Sequence, residues 1–336
     1  MMYFRFTALV AMLLAAAATT QSRAAERNFD PFNPNEPYYD LPANWVEGFA
    51  PTANDHAIIG TGLTCVIRPD DGQNPIPPAE AKRITVAGGG TLSMLDQTTL
   101  ILGEINPPNT SRIDGRLLTE EAGDLEGAIV IAGDHVIIGD GGEIRLNKSW
   151  VVRNPLGEGP YTLTLQSDCI DPCTPAATCG LLLHGAGFLE APIVNDAIVL
   201  ADLDLFQQSR CPIVLIDEPK SGCGIWSAAG EGSLEVRVEV TGSAQWQINE
   251  PAPECVNSFC NAPWITFYVD CTQLTGNVTL NSGRFQVGDG GSSVATFCTP
   301  GDLDWNGVHL EEKSARDPLI RVGYQSVAQF GGTCPP

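Results

Sequence analysis

Two stretches of the sequence share one design: Ile84-Thr-Val-Ala-Gly-Gly-Gly-Thr-Leu-Ser-Met-Leu95 and Val136-Ile-Ile-Gly-Asp-Gly-Gly-Glu-Ile-Arg-Leu146. In each stretch, a short strand precedes a Gly-rich turn, and a second strand with apolar residues at alternate positions follows it. The rungs of a β-solenoid need this pattern, because alternate side chains fill the interior while Gly, Asn and Asp form tight corners. The pattern therefore predicts a β-solenoid. Because the spacing of the repeats is irregular, a β-sandwich is the alternative.

Short strands of the same kind recur along most of the chain. The segment from Leu234 to Val240 has the clearest alternation, with four apolar residues on one face and charged residues on the other. The best helix candidate, residues 311–316, is only one or two turns long. We therefore predict an all-β chain, with further strands at 98–102, 128–132, 135–138, 143–146, 161–165, 180–183, 197–205, 212–216, 245–248, 265–269, 277–280 and 284–287.

One stretch resembles a known group of proteins. Residues 183–201 are similar to the G-x-G-x-(I/L)-x-A and N-x-(G/A)-x-(I/V)-x-A rungs of autotransporter-passenger-like and related bacterial surface β-helix proteins. Residues 44–59 are similar to the opening segment of secreted bacterial β-helices. The resemblance implies a single right-handed parallel β-helix on or outside the cell, in surface display, adhesion or polysaccharide handling. The matching positions of the rung are Gly185, Gly187, Leu189, Ala191, Asn195, Ala197, Val199 and Ala201.

Composition excludes several classes of protein. The 336 residues include 40 acidic and 18 basic side chains, for a formal net charge of -22. A nucleic-acid-binding protein needs clustered Lys and Arg to neutralise phosphates, so we predict no nucleic-acid partner. Charged residues make up 17% and hydrophobic ones 43%, which excludes an acidic disordered chain. The 35 Gly and 25 Pro disfavour a helical bundle.

The N-terminus has the pattern of a secretory signal. Arg5 precedes an apolar run at 7–18, and small residues at Ser22 and Ala24 provide a cleavage site. The alternative is a retained membrane anchor. No later apolar run is long enough to span a bilayer, so we predict a mature chain without a membrane span, secreted or at the cell surface. The predicted segments are a signal peptide at 1–24, an extended lead-in at 25–43, the β-solenoid at 44–299 and a C-terminal cap at 300–336.

Cysteine usage agrees with export. A secreted chain with eleven cysteines usually forms disulfides, and loops at 169–179 and 255–260 appear suited to local ones. A zinc site is the alternative, but paired C-x2-C knuckles and nearby histidines are missing from the sequence. The number is odd, so one thiol is free or pairs with another molecule. The cysteines are 65, 169, 173, 179, 211, 223, 255, 260, 271, 298 and 334.

Two carboxylates on one predicted strand are candidates for catalysis. Side chains two apart on a strand share a face and lie about 7 Å apart, so Asp202 and Asp204 could be the acid pair of a glycosidase. An Arg on a neighbouring rung, Arg237 or Arg210, would complete a polysaccharide lyase or hydrolase site. The alternative is a solvated outer face, where charged residues are the norm.

A possible calcium loop lies near the C-terminus. Asp302, Asp304 and Asn306, followed by Gly307, match the first half of a D-x-D-x-N-G loop, whose oxygen ligands wrap one ion. The loop resembles a single dockerin-type half. It departs from that pattern at Lys313, which stands at the twelfth position in place of an acid. The alternative is an Asx-turn.

These patterns favour a secreted or cell-surface β-solenoid with a structural, adhesive or matrix-binding role and no catalysis. The alternative function is a lyase or hydrolase of the β-helix type that acts on an extracellular polysaccharide. The expected partner is therefore an extracellular polysaccharide or a cell-surface matrix. Tryptophans at 45, 150, 226, 246, 264 and 305 are candidates for stacking against sugars.

Overall fold

A computed structural model describes most of the chain after the predicted signal peptide. Within the predicted signal peptide, residues 1–24, only Ala24 is described. Asp204, Arg210, Asn306 and the helix candidate at 311–316 also lie outside the described residues. The described residues are 24–70, 76–103, 109–120, 127–153, 161–169, 171, 173, 179–202, 212–230, 232–249, 263–269, 271–272, 276–281, 283–288, 295–305, 319–322, 327–331 and 334.

Strands dominate the described residues, and the one short 3-10 helix among them is Pro42–Asn44. The prediction of an all-β chain is therefore confirmed. The strands are β1 (Glu26–Phe29), β2 (His56–Ile59), β3 (Thr64–Ile67), β4 (Ala79–Ala81), β5 (Arg83–Val86), β6 (Thr91–Met94), β7 (Thr99–Leu102), β8 (Asn109–Ile113), β9 (Arg116–Thr119), β10 (Ala128–Ile131), β11 (His135–Gly139), β12 (Glu143–Arg153), β13 (Leu163–Ser167), β14 (Leu182–Leu189), β15 (Ile193–Asp196), β16 (Ile198–Ala201), β17 (Ile213–Leu215), β18 (Lys220–Ser221), β19 (Ile225–Ala228), β20 (Ser233–Val236), β21 (Gln245–Ile248), β22 (Trp264–Phe267), β23 (Cys271–Thr272), β24 (Val278–Leu280), β25 (Arg284–Val287), β26 (Thr296–Thr299), β27 (Leu303–Trp305), β28 (Leu319–Val322) and β29 (Val327–Phe330).

The strands stack in three parallel columns. The first column is β1-β2-β5-β8-β11-β13-β15-β18, and β23-β26-β29 form a separate parallel sheet. The second column is β3-β6-β9-β12-β14-β16-β19-β21-β24-β27. The third is β4-β7-β10-β12-β14-β17-β20-β22-β25-β28.

The chain visits the three columns in rotation. The long strands β12 and β14 each continue from the second column into the third. All strand pairs in the described residues are parallel, whereas a β-sandwich is built from antiparallel sheets. The described architecture is therefore consistent with a β-helix or solenoid.

Alternation along each strand sends one set of side chains into the interior. In β5, for example, Ile84 and Val86 are fully buried, whereas Arg83 and Thr85 are half-exposed. The predicted inward positions of the rung at 183–201 behave in the same way, since Leu189, Val199 and Ala201 are buried. The interior therefore follows the period-two pattern of the sequence.

Two glycines permit the passage of β14 between columns. A Cβ on Gly185, whose φ is +106°, would lie 2.0 Å from the carbonyl oxygen of Leu146. A Cβ on Gly187 would lie 2.2 Å from the carbonyl oxygen of Ser149. The neighbouring strand approaches too closely for any larger residue, which explains the two glycines of the rung pattern.

Aromatic side chains pack at the beginning of the columns. Strand β1 pairs with β2, and the rings of Phe29 and Tyr39 contact Trp45 with centroid distances of 5.3 and 5.2 Å. The indole Nε1 of Trp45 donates a hydrogen bond of 2.8 Å to the carbonyl oxygen of Tyr39. The predicted lead-in thus contributes both a strand and buried aromatic rings.

Disulfide bonds connect Cys169 with Cys179, Cys173 with Cys223, and Cys298 with Cys334. The first closes the loop at 169–179 locally, as expected. Cys65 carries a free, buried thiol. In the described part of the chain, no helix is long and apolar enough to cross a membrane.

Candidate functional site

An ionic cluster lies on the outer wall of the second column. Strand register places Glu143 of β12 opposite Arg116 of β9, and His184 of β14 opposite Leu200 of β16. Asp202 follows directly after β16. Four neighbouring strands therefore bring one Arg, one His and two carboxylates together, although the residues are far apart in the sequence.

His184 is the centre of this cluster. Its Nε2 lies 2.9 Å from Oε1 of Glu143, and its Nδ1 lies 2.9 Å from Oδ2 of Asp202. The other carboxylate oxygen of Glu143 forms an ion pair with Arg116, 3.1 Å from its Nε. The His184 side chain is 14% exposed, whereas that of Arg116 is 64% exposed. The imidazole is thus enclosed and the guanidinium reaches solvent.

The surroundings of His184 favour its protonated form. Burial by itself lowers the pKa of His184, but the hydrogen bonds and charges of Asp202 and Glu143 outweigh burial and leave the pKa above its usual value. Both ring nitrogens then donate to carboxylates. The arrangement can link three strands electrostatically, and it can deliver a proton if one carboxylate moves away.

The sequence identified only one member of this cluster. Asp202 was a candidate, and the structure pairs it with His184 in place of the predicted partner Asp204, which lies outside the described residues. The sequence contains only a weak indication that the other residues belong to the cluster. Alternation places Glu143 and His184 on the outer faces of their strands, but only strand register shows that they are neighbours.

Arg237 lies on a different wall. It follows β20 of the third column, and its guanidinium donates two hydrogen bonds, of 2.6 and 3.1 Å, to Oε2 of Glu235. It also lies over the ring of Tyr268, 5.1 Å from the centroid. The structure therefore gives Asp202 and Arg237 separate partners on separate columns.

The predicted calcium ligands that can be placed lie near β27. Asp302 is exposed, and its backbone N–H donates a hydrogen bond of 3.1 Å to Oδ1 of Asn277. Asp304 lies within β27, opposite Thr279 of β24. Among the described residues, no group of three or more His, Cys, Asp or Glu side chains is arranged to hold a metal ion. Calcium binding stays a prediction.

The tryptophans divide between core and wall. Trp45, Trp226 and Trp246 are buried, with at most 2% of each exposed. Trp150 is half-buried on the third column and stacks on Phe188, with ring centroids 4.1 Å apart. Trp264, also half-buried, lies beneath the guanidinium of Arg284 at 5.6 Å. Of the five tryptophans whose side chains the structure describes, Trp150 and Trp264 are the two that can meet a ligand.

Among the described residues, two basic side chains lie in the interior. Nζ of Lys220 donates to the carbonyl oxygens of Ile216, at 3.0 Å, and Glu218, and burial lowers its pKa to about 7. His135 Nε2 lies 2.7 Å from Oγ of Ser111, and burial lowers its pKa to about 4. The two side chains hold turns and strands inside the columns, away from solvent.

A cavity of about 310 Å³ lies between the N-terminal segment and the beginning of the second and third columns. Tyr39 closes one side by donating a hydrogen bond of 2.7 Å to the carbonyl oxygen of Glu80. In its wall, the guanidinium of Arg68 binds both carboxylate oxygens of Asp40, at 3.0 and 2.7 Å. This ion pair is satisfied within the wall, and the other charged residue of the lining is the acidic Glu80.

No protein-family model, curated protein or solved structure matches the chain.

Proposed function

We propose that the chain forms a right-handed parallel β-helix that is displayed on or outside the cell. Its role there is structural, adhesive or matrix-binding, without catalysis. Three parallel columns visited in rotation support the β-helix, as does the likeness of residues 183–201 to the rungs of autotransporter-passenger-like surface proteins. Three disulfides support an oxidising location outside the cytoplasm.

The pairing of the candidate catalytic residues carries the non-catalytic part of this proposal. Asp202 is engaged with His184, and Arg237 is engaged with Glu235 on another wall. A lyase or hydrolase needs its acid, base and Arg to converge on one bond of the substrate. Long walls of ion-paired residues suit contact with an extended polymer better.

Cosedimentation tests this function. Purified chain is mixed with insoluble cellulose, chitin and bacterial cell-envelope material, and the pellet and supernatant are analysed for protein and for soluble sugar. We expect the folded protein to sediment with at least one material and to release no product. Unfolded, reduced protein is the control for unspecific adhesion. Protein that stays in every supernatant, or that releases sugar, would contradict the proposal.

A second candidate function is a polysaccharide lyase or hydrolase, which the ionic cluster favours. The raised pKa of His184 keeps a proton between two carboxylates, and exposed Arg116 could bind an acidic sugar beside it. In this candidate site, Arg116 takes the role that the sequence analysis assigned to Arg237. Product release that His184→Gln and Asp202→Asn both abolish, while Arg237→Gln does not, would establish it. Equal activity in all variants would exclude the cluster.

Calcium binding by Asp302, Asp304 and Asn306 is a subsidiary proposal. Exposure of Asp302 and Asp304 on one segment supports it, since Ca²⁺ binds carboxylate oxygens. Titration calorimetry with CaCl₂ is the test. We expect binding heat from the unmodified chain and none from the double variant Asp302→Asn, Asp304→Asn. No heat from the unmodified chain would exclude calcium binding.

A further inference from the structure

Four half-buried aromatic side chains lie along the outer wall of the third column. Trp150 belongs to β12, Phe188 to β14 and Trp264 to β22, while Tyr268 follows β22 directly. Strand alternation explains their direction, because the residue next to each of the first three points inward. Those inward neighbours are Val151, Leu189 and Ile265, none more than 1% exposed. We call these four residues the aromatic wall.

Trp150 and Phe188 form one end of this wall. Strand register places them opposite each other, and their rings stack with planes only 16° apart. On its other side, Trp150 lies opposite Ala128 of β10. Trp150 is half-buried, so part of its side chain reaches solvent.

Trp264 and Tyr268 form the other end. A guanidinium lies over each ring: Arg284 at 5.6 Å from the Trp264 centroid and Arg237 at 5.1 Å from that of Tyr268. Such pairs place N–H donors over one side of an apolar ring. A sugar ring presents the matching combination, since its C–H face packs on an aromatic ring while its hydroxyls accept hydrogen bonds.

The two ends of the aromatic wall are three strand spacings apart. In the third column, β14, β17, β20 and β22 are consecutive, so Phe188 and Trp264 are three strand spacings apart, or about 14 Å along the stack. The row from Phe188 continues through Val214, which is 3% exposed, and Glu235 to Thr266, which lies two residues from Trp264 and two from Tyr268. An extended chain that runs across the strands would therefore meet both aromatic ends.

The charge of the protein favours an uncharged polymer as the ligand. Between the two aromatic ends, Glu235 is paired with Arg237, so this part of the wall is locally neutral. The whole chain has a net charge of -22, which repels a polyanion at long range. We propose that the aromatic wall binds an uncharged, linear polysaccharide lying across the strands of the third column. This proposal rests on the proposed matrix-binding function and specifies its ligand class and its site.

Affinity electrophoresis tests the proposal. The full chain is run in native gels that contain hydroxyethyl cellulose, laminarin or galactomannan, and in gels that contain polygalacturonate as the polyanion. We expect at least one neutral glycan, and not polygalacturonate, to slow the protein. Trp150→Ala and Trp264→Ala should each weaken that binding about tenfold, which corresponds to the loss of one stacking contact.

Two further variants separate loss of the ring from loss of the fold. Phe32→Ala removes an aromatic ring that is 89% exposed outside the aromatic wall, and it should leave binding unchanged. Phe188→Leu keeps apolar volume and removes a ring, and it should weaken binding while circular dichroism stays the same. Phe188→Leu therefore keeps the test valid if an alanine variant fails to fold.

Each other outcome overturns the proposal in a distinguishable way. Neutral-glycan binding that survives in Trp150→Ala, Trp264→Ala and Phe188→Leu would exclude the aromatic wall and leave the matrix-binding function intact. Retardation by polygalacturonate alone would exclude an uncharged ligand. If no gel retards the protein but cosedimentation persists, the ligand class is wrong. If cosedimentation also fails, the proposed function fails with it.

Discussion

The interior is filled differently in two regions of the molecule. In the first region, residues 56–167, the interior consists mainly of aliphatic side chains. In the second region, residues 213–330, large aromatic rings are buried together with aliphatic side chains. The largest fully buried side chains of the first region are Ile59, Ile84, Leu92, Met94, Leu100 and Leu102, and those of the second include Trp226, Trp246, Phe267, Phe285 and Phe297.

Strand length differs between the regions at one place. In the first region, the first-column strands β2, β5, β8, β11 and β13 have four or five residues each. The last strand of that column, β18, has two residues, whereas β26 and β29 of the separate sheet have four each. At β18, the Cys173–Cys223 disulfide adds cohesion to the few ladder hydrogen bonds. Successive rings are 4.8 to 5.2 Å apart from Trp246 through Phe267, Phe285 and Phe297.

The largest expected effect is the loss of one ring from the second region. Trp246 contacts Phe267 and Phe297 and is fully buried, so Trp246→Ala should lower the free energy of unfolding by about 3–5 kcal/mol. Ile84→Val in the first region should cost only about 1 kcal/mol. Urea denaturation followed by circular dichroism measures both. Trp246→Phe, which keeps a ring, is the matched control and should cost less than half as much as alanine.

Removal of a disulfide from the second region is the next largest effect. Cys173–Cys223 closes a loop with a sequence separation of 50, so replacing both by Ser should cost about 2–4 kcal/mol. Cys65→Ala in the first region removes one buried thiol and should cost about 1 kcal/mol. Hydrogen exchange should show the loss mainly around β18 and β19. Equal losses of stability from the two replacements would contradict the difference between the two regions.

The sequence predicts the interior of both regions but not their connections. Alternation identifies β5 almost residue for residue, because its inward Ile84 and Val86 differ in polarity from its outward Arg83 and Thr85. In β11 the outward residues Val136 and Ile138 are also apolar, so polarity does not separate the two faces. The register between strands depends on loop length, and loop length varies. Leu182 pairs with both Glu143 and Ile198, so one turn of chain carries a long insertion and the next carries none. The partners of His184 could not be predicted for this reason.

Long-range cysteine pairing shows the same limit. Spacing indicates the local bond between Cys169 and Cys179, whereas the bond from Cys173 to Cys223 depends on where the insertion lies over later strands. Gln245 also bonds the carbonyl oxygen of Cys173, at 2.7 Å, and fixes the insertion to β21. The sequence offers six tryptophans as candidates for stacking. That Trp150 stacks on Phe188 follows from the register between β12 and β14, which the sequence does not show.

The interior Lys220 of the second region gives a third, pH-dependent effect. Burial lowers the pKa of Lys220 to about 7, so between pH 7 and 10 the unfolded chain binds a proton that the folded chain lacks. Stability should therefore rise with pH in this range, by roughly 2 kcal/mol between pH 7.5 and 9. Lys220→Met should remove the rise, whatever its effect on absolute stability. A rise that persists in Lys220→Met would assign the proton to another group.

The smallest expected effect lies on the outer wall between the two regions. His184 is held by Glu143 and Asp202, whose side chains are 26% and 31% exposed, so His184→Gln should cost at most about 1 kcal/mol. The pKa of His184 is raised in the folded chain, so its contribution is complete below the unfolded pKa near 6.5 and is lost as pH rises through the folded pKa. The stability difference from His184→Gln should accordingly be larger at pH 5.5 than at pH 8.5.

Histidine NMR titration checks the same conclusion without unfolding. His184 should titrate above pH 6.5, whereas His56 should titrate below it, since burial and then the charge of Arg83 lower the pKa of His56. His135 should stay neutral to about pH 4. A His184 midpoint below that of His56 would show that the carboxylates do not hold the imidazolium. The cluster would then lack an imidazolium that pairs with both Glu143 and Asp202.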